Sequence, residues 1–288
     1  MDEIKDDGII EINNDEIENT NKLRKKAIFG LSGYLVINYV IGIVIQVVII
    51  AIISAIYPNL QQEYASLLDQ FNAIKETGTA EQITELETKL YSCMFYIKAL
   101  SWINIFTSTI FFGYMVVLYF RELKKGFKLD GNWIGKNIAI GVVGFIILLI
   151  TTLITNLICM MFTSSDNSIN QMTIENMMKN GYLIPMFFLT VIFAPVAEEL
   201  VFRKCFFDLI NNKWIALIVS SLLFGLIHVI GGGDYIYLIS YASSGLVLGG
   251  IYIFSKKDIY SSILVHMINN GFSYFMIVIS MYLPQLLQ

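Results

Sequence analysis

Three short patterns of ionisable and amide side chains lie within or beside apolar runs in the last third of the chain. In chain order they are Glu198-Glu199-x-x-x-Arg203, Phe224-x-x-x-His228 and His266-x-x-x-Asn270. Carboxylates and imidazoles take and return protons, and imidazole and amide N–H groups stabilise an oxyanion. A charged group at the centre of a bilayer costs at least about 2.5 to 3.5 kcal/mol, so charged residues there are functional candidates. The patterns therefore indicate acid–base chemistry in an apolar environment.

The spacing of the first pattern separates its two glutamates. Glu199 and Arg203 are four residues apart, on one face of a helix, where they can form an ion pair. Glu198 projects about 100° away from that face and has no local cation. Counted from the polar helix ends at 1.5 Å per residue, Glu198, His228 and His266 lie roughly 18, 21 and 12 Å inside a membrane. We expect these three side chains to converge in one polar cavity. The competing structural interpretation is that the charges only mark the polar end of a helix.

The amino-acid composition indicates that these patterns lie in a membrane protein. Of 288 residues, 56% are hydrophobic and only 15% are charged, whereas an ordinary soluble domain has about 25% charged residues. The formal net charge is -4, so the chain lacks the basic surface that nucleic-acid binding requires. The chain has only two histidines, and imidazole chemistry must use one or both. These values exclude a conventional soluble enzyme and a nucleic-acid-binding protein.

The apolar runs predict an all-α, polytopic transmembrane helical bundle of seven to eight spans. A bilayer core of about 30 Å needs about 20 mostly apolar helical residues per crossing. By that measure the spans lie at residues 28–57, 91–120, 137–162, 182–203, 214–230, 235–254 and 259–283. An eighth helix fits within the 58–90 loop, but residues 80–90 are too polar to cross a bilayer.

Loop charges predict the orientation of these spans, because Lys and Arg are enriched in cytoplasmic connections. Arg24, Lys25 and Lys26 precede the first span, so we expect a multi-pass protein of the cell membrane with its N-terminus in the cytoplasm. The 58–90 loop is acidic and is expected outside.

Three regions follow from these patterns. Residues 1–22 carry eight carboxylates and few apolar side chains, which predicts a disordered acidic cytoplasmic tail. Residues 23–180 contain no motif and are expected to be accessory transmembrane helices. Residues 181–283 contain all three patterns and form the predicted catalytic core.

The three patterns, in this order on successive membrane helices, resemble the motifs of the CAAX prenyl protease and bacteriocin-processing (CPBP) family of intramembrane proteases. This family is also called Abi and includes proteins like lysostaphin resistance protein A. The resemblance covers residues 181–283 and accounts for both histidines. Each motif alone fixes only two or three positions, and the specificity comes from their order. The resemblance implies hydrolysis of peptide bonds inside the membrane.

The resemblance also implies roles for seven residues: catalytic Glu198, His228, His266 and Asn270, with supporting Glu199, Arg203 and Phe224. In this interpretation Glu198 and His228 activate a water molecule. His266 and Asn270 hold the oxyanion of the tetrahedral intermediate. Arg203 holds Glu199, and the pair positions Glu198.

Two mechanisms are compatible with these side chains. Glu198, His228 and His266 could form a zinc site with an open position for water. The chain lacks the His-Glu-x-x-His helix of zincins, and a glutamate-based mechanism without a metal uses the same residues. The cofactor is therefore either absent or one divalent metal, and we prefer the metal-free hypothesis.

Two fragments mimic other intramembrane proteases. Gly231-Gly232-Gly233-Asp234 fits the Gly-x-Gly-Asp signature of presenilin-like aspartyl proteases, but the nearest second aspartate, Asp208, lies among boundary residues. Ser243-Ser244-Gly245 is similar to the Gly-x-Ser-Gly of rhomboids, but Ala242 occupies the first glycine position. We interpret the first as a turn and the second as a helix-packing site.

The expected partners are membrane lipid and a peptide or membrane-protein substrate. The family's name-giving members imply that this substrate is prenylated. No nucleic acid is expected. A different functional class is a non-catalytic membrane partner, such as a bacteriocin immunity protein. A proton-coupled transporter is the other alternative, and it predicts internal repeats that the two halves of the chain do not show.

Overall fold

Helices account for all regular structure in the part of the chain that the computed structural model describes, residues 14–74, 78–93, 95–163, 165 and 167–286. The α-helices are α1 (Asn14–Leu35), α2 (Gly42–Ile56), α3 (Leu60–Ile74), α4 (Ala80–Cys93), α5 (Phe95–Leu118), α6 (Phe120–Gly126), α7 (Gly131–Met160), α8 (Ile169–Met177), α9 (Leu183–Met186), α10 (Ala194–Glu199), α11 (Phe206–Leu209), α12 (Lys213–Val229), α13 (Leu238–Phe254) and α14 (Ile259–Leu286). Wider π-helical segments lie at Val36–Ile41, Phe187–Phe193 and Leu200–Cys205, and a 3-10 turn lies at Tyr235–Tyr237. The segment Met178–Tyr182 contains a kink at Asn180 and Gly181. The predicted all-α class is confirmed.

The chain is a multi-pass membrane protein, as predicted. Among the described residues, six helical stretches are long and apolar enough to cross a bilayer: Ile17–Ile56, Ser101–Leu118, Gly131–Met160, Ile169–Leu209, Tyr235–Phe254 and Ile259–Leu283. The predicted span at 214–230 corresponds to α12, which is apolar but has 17 residues. At 1.5 Å per residue α12 is about 25 Å long, somewhat short of the bilayer core of about 30 Å.

Two regions that were not predicted as spans also contain helix. Helix α1 begins at Asn14, so helix occupies the second part of the 1–22 segment, while residues 1–13 lie outside the described residues. The 58–90 loop contains α3 and α4, neither of which meets the criteria for a span. Helix α4 covers the helix-compatible stretch at 80–90, and α3 is a helix that the sequence patterns did not predict.

The stretch Ile169–Leu209 is interrupted by a kink in Met178–Tyr182 and by two wide turns, and proline explains the kink and the first wide turn. Pro185 and Pro195 lack an N–H and would clash with the carbonyl four residues earlier in a regular α-helix. Those carbonyls belong to Gly181, which lies at a kink with a φ of +92°, and to Val191 in the π-helical segment Phe187–Phe193. The second wide turn, Leu200–Cys205, contains no proline. Wide turns of this kind often occur at functional sites.

The chain divides into two compact units. The first unit consists of Met1–Ser32, Leu118–Ser168 and Glu198–His266. The second unit consists of Gly33–Val117, Ile169–Ala197 and Met267–Gln288. The predicted catalytic core of 181–283 contributes residues to both units.

In the first unit, α13 packs against α12 and α7. The approach of α12 to α13 requires small residues. A methyl group on Gly225 would lie 2.8 Å from the backbone nitrogen of Ala242, and one on Gly245 would lie 2.9 Å from the Cα of Ser221. Small residues allow membrane helices to pack this closely. The backbone of α13 therefore lies directly against the helix that carries His228.

In the second unit, the core is formed by buried side chains from α5, α14 and the segment that contains α9: Ile105, Met178, Tyr182, Met186, Val191, Tyr274 and Ile277. The Tyr274 hydroxyl donates to the carbonyl oxygen of Leu183 at 3.0 Å. Phe112 stacks on Phe193 with ring centroids 4.4 Å apart. This unit carries Asn270.

Candidate active site

Glu199 and Arg203 form a buried ion pair where α10 passes into the wide turn Leu200–Cys205. Nε of Arg203 lies 3.0 Å from Oε2 of Glu199, and both side chains are completely buried. Nη2 of Arg203 donates to the carbonyl oxygen of Gly245 at 3.4 Å, and the guanidinium lies 5.0 Å from the ring centroid of Phe224. The pair that the four-residue spacing predicted is present, and it balances the charge of Glu199 inside the protein.

His266 of α14 contacts both glutamates. Its Nδ1 lies 3.0 Å from Oε1 of Glu199, and its Nε2 lies 3.8 Å from Oε2 of Glu198. A carboxylate paired with arginine accepts hydrogen bonds, so Nδ1 of His266 carries the hydrogen. Nε2 of the same ring faces Glu198, and it can donate there when it also carries a hydrogen. His266 therefore links the paired glutamate to the unpaired one.

Solvent exposure distinguishes the two carboxylates. The side chain of Glu199 is completely buried, whereas that of Glu198 is 17% exposed. Oε2 of Glu198 is buried and has no hydrogen-bond partner among the described residues. A general base must reach water and substrate. Glu198 is partly open at the protein surface and can meet this requirement, whereas Glu199 is enclosed.

His228 of α12 is held in one tautomer by its own helix. Its Nδ1 lies 2.7 Å from the carbonyl oxygen of Phe224. A carbonyl only accepts, so Nδ1 carries the hydrogen and Nε2 is the acceptor of the neutral ring. The Phe224 ring contacts both imidazoles, with centroid distances of 4.7 Å to His228 and 5.9 Å to His266. Phe224 therefore connects His228 with the group around His266.

Two further residues of α13 contact this group. Tyr241 stacks on His228 with ring centroids 4.5 Å apart and an interplanar angle of 18°, and the carbonyl oxygen of Gly245 accepts from Arg203. Gly245 belongs to the small-residue fragment that the sequence patterns assigned to helix packing. Tyr241 is one of 16 tyrosines, and no spacing marks it. Only the packing of α13 against α12 places the Tyr241 ring beside His228.

Asn270 lies one helical turn after His266 on α14 and belongs to the second unit. Its Nδ2 donates to the carbonyl oxygen of Thr190 at 2.9 Å, and its Oδ1 accepts from Nδ2 of Asn269 at 3.3 Å. The amide plane is therefore fixed by contacts within that unit. The other six residues singled out by the patterns all lie in the first unit.

The described residues contain no group of three or more His, Cys, Asp or Glu side chains placed to hold a metal ion. The zinc set considered from the sequence, Glu198, His228 and His266, is therefore not assembled in this part of the chain. In both histidines Nδ1 is bound within the protein, to the Phe224 carbonyl in His228 and to Glu199 in His266, so Nε2 is the only ring atom left for another partner.

The two rival protease fragments have other contacts. The Ser244 hydroxyl donates to the carbonyl oxygen of Ser240 within α13 at 3.0 Å. Asp208 pairs with Lys204 at 2.6 Å. Ser244 is thus used in its own helix, and Asp208 is bound to a cation, so these contacts support the turn and packing interpretations.

Comparisons with known proteins match the region that carries these residues. Residues 180–272 match the family described as Type II CAAX prenyl endopeptidase Rce1-like. An uncharacterised protein of Mycoplasma capricolum is 31% identical over 120 residues, which cover 42% of this chain and 35% of that protein. UPF0177 protein YbdI of Lactococcus lactis is 43% identical over 61 residues, or 19% and 34% of the two chains. Membrane-embedded CAAX protease MroQ of Staphylococcus aureus is 33% identical over 95 residues, or 31% and 38%.

No solved structure matches the chain. The chain spans about a third of the length of these curated relatives. The matched range 180–272 contains all three patterns, and the resemblance to CAAX-type membrane proteases is confirmed for this region.

Proposed function

We propose, from the premise that residues 180–272 are similar to Rce1-like CAAX prenyl endopeptidases, that the chain is an intramembrane endopeptidase. One observation carries the proposal. The imidazole of His266 lies between a buried, arginine-paired carboxylate and a partly exposed one, with contacts of 3.0 Å to Glu199 and 3.8 Å to Glu198. A carboxylate that faces an imidazole and is partly exposed is suited to activating water.

Glu198 is the general base of the proposed reaction. It takes a proton from water, and the water oxygen attacks the carbonyl carbon of the scissile peptide bond. When the tetrahedral intermediate collapses, the C–N bond breaks and Glu198 returns the proton to the leaving amine. The proton taken from water ends on the leaving amine, and the products are a carboxylic acid and an amine. The 3.8 Å separation from His266 is a little longer than a hydrogen bond, and such contacts often tighten when substrate binds.

His266 serves the oxyanion in its doubly protonated form. Nδ1–H donates to Glu199, and Nε2–H is then directed at the negative oxygen of the intermediate. Arg203 holds Glu199 in place for this contact through the 3.0 Å ion pair. For Asn270, the role of second oxyanion donor rests on the motif resemblance alone.

His228 holds the attacking water. Because Nδ1–H is bound to the Phe224 carbonyl at 2.7 Å, Nε2 is free of the hydrogen in the neutral ring and accepts a hydrogen bond from water. A neutral imidazole in this tautomer orients the water without supplying a proton to the oxyanion. The roles of the two histidines therefore differ.

The substrate of the proposed reaction is a peptide or a membrane protein. A prenylated C-terminal segment is the first candidate, because the matched family and the Staphylococcus aureus relative are both described by CAAX protease activity. A farnesylated peptide that ends in a Cys-aliphatic-aliphatic-X sequence and the same peptide without the lipid distinguish a prenyl-dependent enzyme from a general peptidase.

Cleavage by the full-length chain in lipid nanodiscs tests the proposal. Glu198→Gln keeps the shape of the side chain and removes its basicity, so kcat is expected to fall by about 100-fold or more. Glu85→Gln is the matched control, because that carboxylate is exposed on α4, and it should leave the activity unchanged. A folded Glu198→Gln protein with wild-type cleavage, or wild-type chain without cleavage of either peptide, would overturn the proposal. Retention of a cellular phenotype by Glu198→Gln would favour a non-catalytic partner.

A further inference from the structure

The stacking of Tyr241 on His228 is the closest ring contact of that histidine. The ring centroids are 4.5 Å apart and the planes are inclined by only 18°. At the far end of the tyrosine, its hydroxyl and the Oγ of Ser168 are 2.7 Å apart, and Ser168 is buried. A tyrosine that is held both by its ring face and by its hydroxyl has little rotational freedom.

The imidazole of His228 needs such a support. Rotation of a histidine ring about its last torsion is broad, because no staggered wells confine it. The Nδ1 contact with the Phe224 carbonyl fixes one atom of the ring. The Tyr241 face then determines the plane in which the opposite atom, Nε2, is presented. Ring position and tautomer are thus determined by two different neighbours.

The end of α13 that carries Tyr241 is itself anchored to α7 and to the segment that follows it. The Thr155 hydroxyl donates to Oγ of Ser240 at 3.2 Å, and the Ser240 hydroxyl donates to Oδ1 of Asn156 at 2.7 Å. The Tyr237 hydroxyl donates to the carbonyl oxygen of Ser165 at 2.7 Å. These bonds lie in the first unit and hold the turn of α13 beside Tyr241.

We propose that Tyr241 is a positioning residue for His228, with Ser168 as its anchor. The stacked ring keeps the imidazole in the orientation that directs Nε2 away from the Phe224 carbonyl. Its effect on cleavage rests on the proposed function, whereas its effect on the His228 ring does not depend on any activity.

Histidine-selective NMR of the 288-residue chain in nanodiscs observes the His228 imidazole directly, because the chain has only two histidines. His228→Gln assigns the two imidazole signals. The Tyr241 ring face shields the His228 ring protons, so Tyr241→Leu should move these signals downfield and leave the His266 signals in place. Tyr241→Met is the second variant without a ring, should the leucine variant fail to fold. Tyr241→Phe keeps the ring and should keep the shielding, and Ser168→Ala should broaden the His228 signals.

Kinetics with the peptide substrate separate positioning from general stability. Tyr241→Leu should lower kcat by about 10- to 100-fold, the range that follows when a reacting group is misplaced, and should leave KM nearly unchanged. Tyr241→Phe should restore most of kcat. Unchanged His228 signals in Tyr241→Leu and Tyr241→Met would overturn the positioning role. Moved signals with an unchanged kcat would overturn its part in catalysis. If the wild-type chain cleaves nothing, the proposed function fails, while the NMR result still decides the positioning of His228.

Discussion

Removal of the buried guanidinium of Arg203 is expected to destabilise the protein strongly. In Arg203→Met an apolar side chain replaces it, and Glu199 is left buried without its arginine. At an effective dielectric constant of about 20, two unit charges 3.0 Å apart attract each other by about 5.5 kcal/mol. Desolvation offsets part of this attraction, and removal of one partner of a buried pair costs about 3 to 5 kcal/mol. We expect the free energy of unfolding to fall by about that amount.

Equilibrium unfolding in mixed micelles with increasing SDS, followed by tryptophan fluorescence, measures the change. Lys89→Met is the matched control, because Lys89 and Glu85 are also four residues apart and form a 2.6 Å ion pair, but their side chains are 54% and 64% exposed. The hydrogen bond from Lys89 lowers the pKa of Glu85 from its usual value. Water screens this pair, so its loss should leave the unfolding free energy nearly unchanged.

The double variant Glu199→Gln/Arg203→Met completes the test. It removes both charges, and the glutamine carbonyl still accepts a hydrogen bond from Nδ1 of His266. The double variant should therefore be more stable than Arg203→Met alone, because no buried carboxylate is left without its arginine. An Arg203→Met protein as stable as Lys89→Met would refute the reasoning. A double variant less stable than Arg203→Met would refute it as well.

Three further predictions concern the packing around the site and its chemistry. Gly245→Ala places a methyl group 2.9 Å from the Cα of Ser221 and is expected to cost about 1 to 3 kcal/mol of unfolding free energy. Gly250→Ala, with nothing within 4 Å of the added methyl, should be neutral or slightly stabilising, and equal losses in the two variants would contradict the packing argument. Asn212→Ala removes the side chain that accepts from the backbone N–H of Trp214 at 2.9 Å and should cost about 0.5 to 2 kcal/mol; an unchanged unfolding curve would count against this cap. Peptide cleavage should survive a divalent-metal chelator, and loss of activity with recovery on added zinc would demonstrate a metal mechanism.

Much of the candidate site could be identified before any packing was known. Glu198, Glu199 and Arg203 stand out because charges in an apolar segment are costly, and this cost does not depend on tertiary contacts. Both histidines stand out because the chain has no others. The pairing of Glu199 with Arg203 follows from helical spacing alone.

The contacts of the imidazoles could not be derived in the same way. Depth along a helix is proportional to residue number, but the direction of a side chain depends on how the helix is rotated against its neighbours. The wide turn Leu200–Cys205 changes that rotation locally, and it contains no proline from which the sequence could predict it. Similar depths were expected for Glu198, His228 and His266. Depth alone does not determine which nitrogen of each imidazole contacts which residue.

The sequence by itself determined a helical membrane protein, the three motif patterns and the buried ion pair, because hydropathy and spacing along one helix are local properties. Only the tertiary structure decided that His266 contacts Glu199 and Glu198, that His228 binds the Phe224 carbonyl, and that Tyr241 stacks on His228. The first and third of these contacts join residues from different helices. The Tyr241 contact exists because glycine and serine let α12 and α13 approach closely. The His266 contact exists because a buried guanidinium holds Glu199 beside α14. The distance between two helices is not encoded by a residue pattern within one of them.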